Sequence, residues 1–123
     1  MKGQKKNPLY KSFGYAFEGI FTGIKKERNM KIHCLTMLCV VAAGFVFRIS
    51  VSEWCICLIL FGMILSLELV NTAMEAVVDL VTEERRPLAK LAKDTAAGGG
   101  FFSAIMAAGG GVFIFFPQGL ELI

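Results

Sequence analysis

The sequence lacks the composition of a soluble or secreted protein. Charged residues are scarce, at 19% of the 123 residues, while 55% of the residues are hydrophobic. A mean hydropathy of +0.62 is too high for an ordinary soluble domain of this length. The first 31 residues hold eight basic side chains and no apolar stretch long enough for a cleavable signal peptide. The net charge of +3 does not predict binding to nucleic acid. We therefore expect a single integral-membrane domain over residues 1–123.

The sequence also lacks the common cysteine and phosphate-binding motifs. All four cysteines lie inside apolar runs, where we expect packing residues rather than disulfides or metal ligands: Cys34, Cys39, Cys55 and Cys57. The last two lack the two-residue spacer and the second pair of a zinc site. The glycine run at 98–100 is not followed by Gly-Lys-Ser/Thr, so we interpret it as a packing feature. No Walker, protein-kinase or Rossmann fingerprint is present.

Three apolar runs predict an all-α membrane protein with three transmembrane helices. The predicted spans cover about residues 31–48, 54–81 and 93–117. We expect Pro117 and Gly119 to end the last helix. Small residues recur at intervals of four along the third span, which predicts close packing against another helix: Gly99, Ser103, Ala107 and Gly111.

The positions of the basic residues predict how the chain is oriented. Eight basic residues precede the first span, one lies between the first and second, four lie between the second and third, and none follows the third. By the positive-inside rule, the N-terminus and the 82–94 loop are cytoplasmic. Before the first span, apolar residues recur at helical spacing from Leu9 to Ile24. This pattern predicts an amphipathic surface helix at about residues 9–28, lying on the inner leaflet.

The cytoplasmic half of the second span carries the clearest chemical signal. Its polar residues fall within an arc of roughly 100° on a helix: Glu68, Asn71, Thr72, Glu75 and Asp79. Carboxylates near hydrocarbon are costly and need a cation, a proton or water. If Trp54 marks the outer interface, a core of ~30 Å is crossed by about residue 73. Glu68 then lies at the depth of a lipid hydroxyl, and potential metal ligands lie one or two turns further out.

Three functions are compatible with this polar stripe. A proton-coupled transporter would use Glu68 or Glu75 as its carrier, although such a group is expected at mid-membrane. A packing or scaffold subunit would leave the carboxylates unexplained, because Asn and Thr alone can join helices. An enzyme is favoured by two further groups on the same membrane face, the Lys93-Asp94 pair and the segment 27–29.

Two separated segments carry a specific combination of these residues. They read Glu68-x-x-Asn71-Thr72-Ala73-x-Glu75-Ala76-Val77-Val78-Asp79 and Pro87-Leu88-Ala89-Lys90-x-Ala92-Lys93-Asp94-x-Ala96-Ala97-Gly98. Together they closely resemble the signature of the prokaryotic diacylglycerol kinase and undecaprenol kinase family. The segments 11–19 and 27–33 are similar to the family's N-terminal helix and its entry to the first span, so the resemblance covers nearly the whole chain. The Glu-Arg-Asn-x-Lys-x-His form of segment 27–33 resembles the Gram-positive branch, whose members mostly phosphorylate undecaprenol.

This resemblance implies a lipid kinase of the bacterial cell membrane. The reaction would transfer the terminal phosphate of Mg-ATP to a lipid alcohol. The expected acceptor is undecaprenol, and diacylglycerol is the alternative acceptor. A proton-coupled transporter is a remote alternative function. The family forms homotrimers of three-span subunits with a surface helix, and its active sites are shared between neighbouring subunits. We expect the same arrangement here.

The resemblance also implies roles for the site residues. Glu68 would be the general base, and Glu27 and Glu75 would bind Mg²⁺, an ion that needs few protein ligands. Three further residues would position the nucleotide and its phosphates: Asn71, Lys93 and Asp94.

A second group of residues matches positions that line the family's nucleotide site: Tyr15, Glu84, Arg85 and Arg86. The Arg85-Arg86 pair departs from relatives that often have an aromatic residue followed by His. For Thr72 and Asp79 we predict supporting roles around the site.

Overall fold

The computed structural model describes residues 8–122, which form four helices joined by short links. The helices are α1 (Leu9–Lys26), α2 (Arg28–Phe47), α3 (Val51–Val81) and α4 (Pro87–Leu122). Helices α2, α3 and α4 are each long and apolar enough to cross a membrane. The prediction of an all-α membrane protein with three such helices is confirmed.

Helix α3 begins with a capping box and ends where the sequence predicts. The Ser50 hydroxyl accepts a hydrogen bond from the Glu53 backbone N–H at 3.2 Å, and the Ser50 backbone N–H donates to the Glu53 carboxylate at 2.9 Å. This reciprocal pair satisfies backbone donors that a helix start leaves free. At the other end the chain becomes extended at Thr82, whose hydroxyl accepts from the Glu84 N–H at 3.0 Å.

The link between α2 and α3 is a tight turn held by close packing. Arg48 adopts the left-handed conformation, with φ 53° and ψ 54°, and the Ile49 N–H donates to the Gly44 carbonyl at 3.1 Å. A Cβ atom at Gly44 would lie 2.5 Å from the Trp54 ring. The indole of α3 therefore rests directly on the backbone of α2, at a position that only glycine allows.

Helix α4 packs most extensively against α3. A Cβ atom at Gly110 would lie 2.6 Å from Leu60, and one at Gly100 would lie 2.7 Å from Glu68. Ser103 is buried and donates its hydroxyl to the Gly100 carbonyl at 2.7 Å. Small residues on α4 thus bring its backbone close to α3. The closest approaches are at Gly100 and Gly110, whereas nothing lies within 4 Å of an added Cβ at Gly99 or Gly111 of the predicted row.

The prediction that Pro117 and Gly119 end the last helix is wrong, because α4 continues through both to Leu122. Proline removes one backbone donor from the helix ladder. In apolar surroundings, however, leaving the helix would free several more backbone groups from their hydrogen bonds. A transmembrane helix therefore tolerates a proline that would end a helix in water.

Most large apolar side chains of the single chain face outward. Examples from the ends and the middle of the bundle are Phe101, 70% exposed, and Phe113, 84% exposed. The buried hydrophobic residues within residues 8–122 are few: Met30, Ile49, Cys57, Ile64 and Ile114. Such a surface suits contact with lipid or with other protein rather than with water.

Candidate active site between the three long helices

Two polar side chains of α3 are buried between the long helices. Glu68 is 5% exposed and Asn71 is 7% exposed. They face a cavity of ≈ 190 Å³, here named the Glu68 cavity, whose other lining residues come from α2 and α4: Asn29, Ile32, His33, Ala97, Gly100, Phe101 and Ala104. Burying a carboxylate without strong partners is costly, so this position has the character of a functional site.

The Glu68 carboxylate lies between α2 and α4. Its Oε1 atom is 3.7 Å from Nε2 of His33 on α2. On the α4 side, any Cβ at position 100 would lie 2.7 Å from the same oxygen, so glycine leaves the space that the carboxylate occupies. The Glu68 backbone carbonyl accepts a hydrogen bond from the Thr72 hydroxyl at 3.1 Å. Thr72 is thus engaged with its own helix, in agreement with a supporting role.

Asn71 presents an unsatisfied oxygen. Its side-chain amide donates to Oε1 of Glu75 at 3.4 Å, whereas its Oδ1 atom is buried and has no hydrogen-bond partner within residues 8–122. A buried acceptor left in this way costs about 1–3 kcal/mol. Native proteins keep few such atoms. Asn71 Oδ1 is therefore available to accept from a hydroxyl or from a hydrated cation.

A second cavity, here named the loop cavity, opens where α3 ends and α4 begins. It measures ≈ 710 Å³ and its lining residues all lie between Val78 and Asp94. Charged side chains surround it in pairs: Lys93 Nζ lies 2.7 Å from Asp79 Oδ1, Lys90 contacts Asp94, and Arg86 lies 3.2 Å from the Glu84 carboxylate. A charged pocket of this size suits a polyphosphate ligand.

The structure brings the predicted site residues into two groups. Glu68 and Asn71 line the Glu68 cavity, with Glu75 attached through the Asn71 amide. The remaining nucleotide-site residues of the α3–α4 region line the loop cavity: Glu84, Arg85, Arg86, Lys93 and Asp94.

Tyr15 and Glu27 line neither of these two cavities. Glu27 is half-buried at the joint between α1 and α2. Four residues earlier, a Cβ at Gly23 would lie 2.7 Å from Leu69, so the end of α1 packs on α3 beside Glu68. The pairing of Glu27 with Glu75 on one metal ion remains a prediction.

Sequence reasoning missed three features of the site. His33 is the single histidine and lies in an otherwise charge-free apolar run, which is a signal that could have been used. Gly100 belongs to a glycine cluster that gives no hint of which member faces a carboxylate. The pair of Asp79 and Lys93 joins residues 14 positions apart on different helices, and no local spacing rule predicts it.

The donor set fits a magnesium ion better than a metal held by protein alone. No group of three or more His, Cys, Asp or Glu side chains gathers anywhere in the described part of the chain. Mg²⁺ is commonly held by one or two carboxylates, with substrate phosphates and water completing its shell. The half-buried Glu75 carboxylate next to the unsatisfied Asn71 oxygen matches that requirement.

The sequence is similar to known proteins over most of its length. A family model described as prokaryotic diacylglycerol kinase matches residues 14–115. The chain is 42% identical to an undecaprenol kinase of Bacillus subtilis (strain 168), over 91% of each chain. It is 35% identical to a diacylglycerol kinase of Synechocystis sp., over 93% of this chain and 66% of that one, and 31% identical to a diacylglycerol kinase of Pseudomonas aeruginosa, over 72% of each.

The fold and these matches define an integral-membrane phosphotransferase. The chain belongs to the prokaryotic diacylglycerol kinase family, as its sequence signature predicts. It is a lipid kinase that uses ATP as phosphoryl donor, and the transporter and scaffold alternatives are set aside.

Proposed function

We propose that this kinase transfers the terminal phosphate of Mg-ATP to undecaprenol at the cytoplasmic face of the bacterial cell membrane. The proposal is supported by the 42% identity to an undecaprenol kinase. It is also supported by the apolar space next to Glu68, described below. Diacylglycerol is the second candidate acceptor, because kinases of that name are also similar to the chain.

An apolar groove of ≈ 220 Å³ between α2, α3 and α4 adjoins the Glu68 cavity. His33 and Ala104 line both spaces. The hydroxyl of Thr36 also lines the groove, but it donates to the Ile32 carbonyl at 2.9 Å and is occupied. A hydroxyl carried on an unbroken hydrocarbon chain suits this lining. Diacylglycerol would place two ester groups close to its hydroxyl, where the groove offers few free donors.

The residues of the chain supply the parts of phosphoryl transfer. Glu68 accepts the proton of the alcohol hydroxyl, since it is the carboxylate that lines the cavity next to the apolar groove. Lys93 compensates the charge that develops on the transferred phosphoryl group. Because the single proton of the alcohol goes to Glu68, the buried Asn71 oxygen accepts from a water molecule and so orders the site around the attacking oxygen. When bound, Mg²⁺ would be held by Glu27 and Glu75 and would neutralise phosphate oxygens.

The nucleotide is expected in the loop cavity, together with Arg85 and Arg86. Asp79, at the edge of that cavity, lies roughly 16 Å along α3 from Glu68, at 1.5 Å per residue. This spacing supports a site completed by a neighbouring subunit, and membership of the family supports the homotrimer that we propose. Tyr15 and Glu27 on the α1 side would then reach the nucleotide of the assembled site.

We further propose that α1 lies on the inner leaflet, with the N-terminus and the 82–94 loop on the same side. The apolar side chains of α1 are exposed in the isolated chain, Leu9 at 73% and Phe17 at 69%. Its last turn carries Lys25 and Lys26, which suit anionic headgroups. Both features support an interfacial position.

The test is transfer of radiolabelled terminal phosphate from ATP to undecaprenol and to diacylglycerol in mixed micelles, measured as initial rates with and without Mg²⁺. We expect magnesium-dependent transfer with a higher kcat/KM for undecaprenol. Glu68→Gln should lower kcat by about 10²–10⁴-fold, the range of general-base catalysis. Glu75→Gln should raise the Mg²⁺ concentration that gives half-maximal activity, and it should also lower kcat. Glu121→Gln, at the opposite end of α4, is the matched control and should leave the rate unchanged.

Full activity of both Glu68→Gln and Glu75→Gln would refute the assigned roles. A higher kcat/KM for diacylglycerol would overturn undecaprenol as the acceptor while leaving the base in place. The oligomeric state is checked separately, by the mass of the protein in detergent after subtraction of bound detergent.

A further inference from the structure

His33 is the one residue lining the Glu68 cavity that can carry a positive charge. Its Nε2 atom is 3.7 Å from Oε1 of Glu68. Around the same carboxylate, α3 contributes the amide of Asn71, and α4 contributes only uncharged residues. The electrostatic surroundings of the buried carboxylate are therefore set by His33 from α2.

The carboxylate has little freedom on its other side. Gly100 approaches so closely that an added Cβ would be 2.7 Å from Oε1. Glu68 is buried, so bulk water does not hold its oxygens in place. The Glu68 carboxylate therefore lies between Gly100 on α4 and the His33 imidazole on α2.

His33 also lies where the Glu68 cavity meets the apolar groove. It lines both the polar Glu68 cavity and the apolar groove. An alcohol whose hydrocarbon lies in the groove passes His33 with its hydroxyl end. The separation of 3.7 Å is longer than a hydrogen bond. A small side-chain rotation brings the two atoms within hydrogen-bonding distance. A hydroxyl placed between the two groups bridges them instead.

We propose that His33 is a positioning residue that holds the Glu68 carboxylate toward the hydroxyl of the lipid acceptor, at the passage between the Glu68 cavity and the apolar groove. This inference rests on the proposed role of Glu68 as the base. His33 donates from Nε2 to the carboxylate and leaves the other oxygen free to accept the proton of the alcohol. A carboxylate that rotated freely would spend less time in the reactive orientation, so the effect falls on kcat.

The experiment compares His33→Leu with His33→Gln in the same mixed-micelle assay. Leucine keeps a similar volume and removes the donor, whereas glutamine restores an N–H donor at similar reach. His33→Leu should lower kcat by about 10- to 100-fold, as expected for a misoriented reacting group. The KM for Mg-ATP should stay within about two-fold, since the nucleotide is bound elsewhere. His33→Gln should recover most of the lost kcat. Leu35→Ala, on the exposed face of α2, is the control for damage to the helix.

A second measurement separates action through Glu68 from a general packing effect. In the Glu68→Gln background, adding His33→Leu should lower the residual rate by less than about two-fold, because residues that act as a unit are not additive. A loss by the same factor as in the wild type would show that His33 acts independently of Glu68. A wild-type kcat for His33→Leu, or an equal loss for Leu and Gln, would also overturn the proposal.

The kinetics of the variants distinguish failure of Glu68 as the base from failure of the role proposed for His33. If Glu68→Gln is fully active, the proposed base is wrong and the role of His33 falls with it. If Glu68→Gln is inactive while His33→Leu is normal, the base stands and the inference about His33 alone is wrong.

Discussion

The two polar regions of the molecule differ in how completely their charges are paired. Of the four cations that line the loop cavity, three are paired: Lys93 with Asp79, Lys90 with Asp94, and Arg86 with Glu84. In the Glu68 cavity, by contrast, the carboxylate is 3.7 Å from its one potential cation, and the oxygen of Asn71 has no partner within residues 8–122. Most charges of the exposed region are thus paired, whereas the polar groups of the buried region are not.

This difference indicates where binding and where chemistry take place. Exposed ion pairs contribute little to stability and exchange readily with a ligand of the same charge. A buried group that stays unsatisfied is retained against its cost, which is typical of a site that a substrate completes. We therefore interpret the loop cavity as the place where nucleotide charge is exchanged, and the Glu68 cavity as the place where the acceptor is held.

Among the substitutions that test this comparison, removal of Lys93, which lines the loop cavity, should have the largest effect. Lys93→Ala should lower kcat/KM for Mg-ATP by about 10²–10³-fold, the loss expected when one group that stabilises developing charge is removed. Lys90→Ala removes a neighbouring cation that is paired along its own helix, and should cost less than about five-fold. Initial rates at varied Mg-ATP check this pair. Equal effects of the two substitutions would contradict the special position of Lys93.

Filling the space beside the buried carboxylate should have the next largest effect. Gly100→Ala places a methyl group against Glu68 Oε1 and should lower kcat by about 10²-fold, because a displacement of about 1 Å is enough to misplace a reacting group. Gly98→Ala is the matched control, since nothing lies within 4 Å of its added Cβ. Kinetics of both variants on the same lipid provide the measurement. Normal kcat in Gly100→Ala would show that Glu68 does not need its observed position.

Breaking an ion pair of the loop cavity without removing its cation should have a smaller effect. Asp79→Asn frees Lys93 from its partner, and we expect activity to change by about five-fold at most, the range for exposed pairs. Because a freed lysine gains access to phosphate, the KM for Mg-ATP should fall or stay level. Measuring this KM at two salt concentrations tests the point. A loss as large as that of Lys93→Ala would assign Asp79 a direct role instead.

The smallest effect on activity is expected far from both cavities. Ser50→Ala removes the side-chain cap at the N-terminal end of α3 and should lower the free energy of unfolding by about 1 kcal/mol. Its kcat should match that of the wild type, since Glu68 lies several helical turns away. Thermal unfolding in detergent and the standard kinase assay measure the two quantities. A lowered kcat with unchanged stability would contradict this separation.

Features that depend on one helix could be predicted from the sequence, and features that depend on two could not. The end of α3 at Val81 follows from hydropathy and helix periodicity, as does the shared face of Glu68, Asn71 and Glu75. The His33–Glu68 contact and the Gly100 approach depend on how neighbouring helices cross and on their relative height. A single sequence does not specify either quantity.

The turn at Arg48 has a consequence for how the protein is made. Its stabilising contacts, from Gly44 to Trp54, join residues that are close along the chain. Such local contacts form early, because little loop entropy opposes them. The turn between α2 and α3 can therefore form as soon as Trp54 has left the ribosome, before the rest of α3 and all of α4 have emerged. Once α3 is complete, Glu68 has His33 of the same hairpin beside it but not Gly100, so the Glu68 cavity is completed only when the last helix enters the membrane.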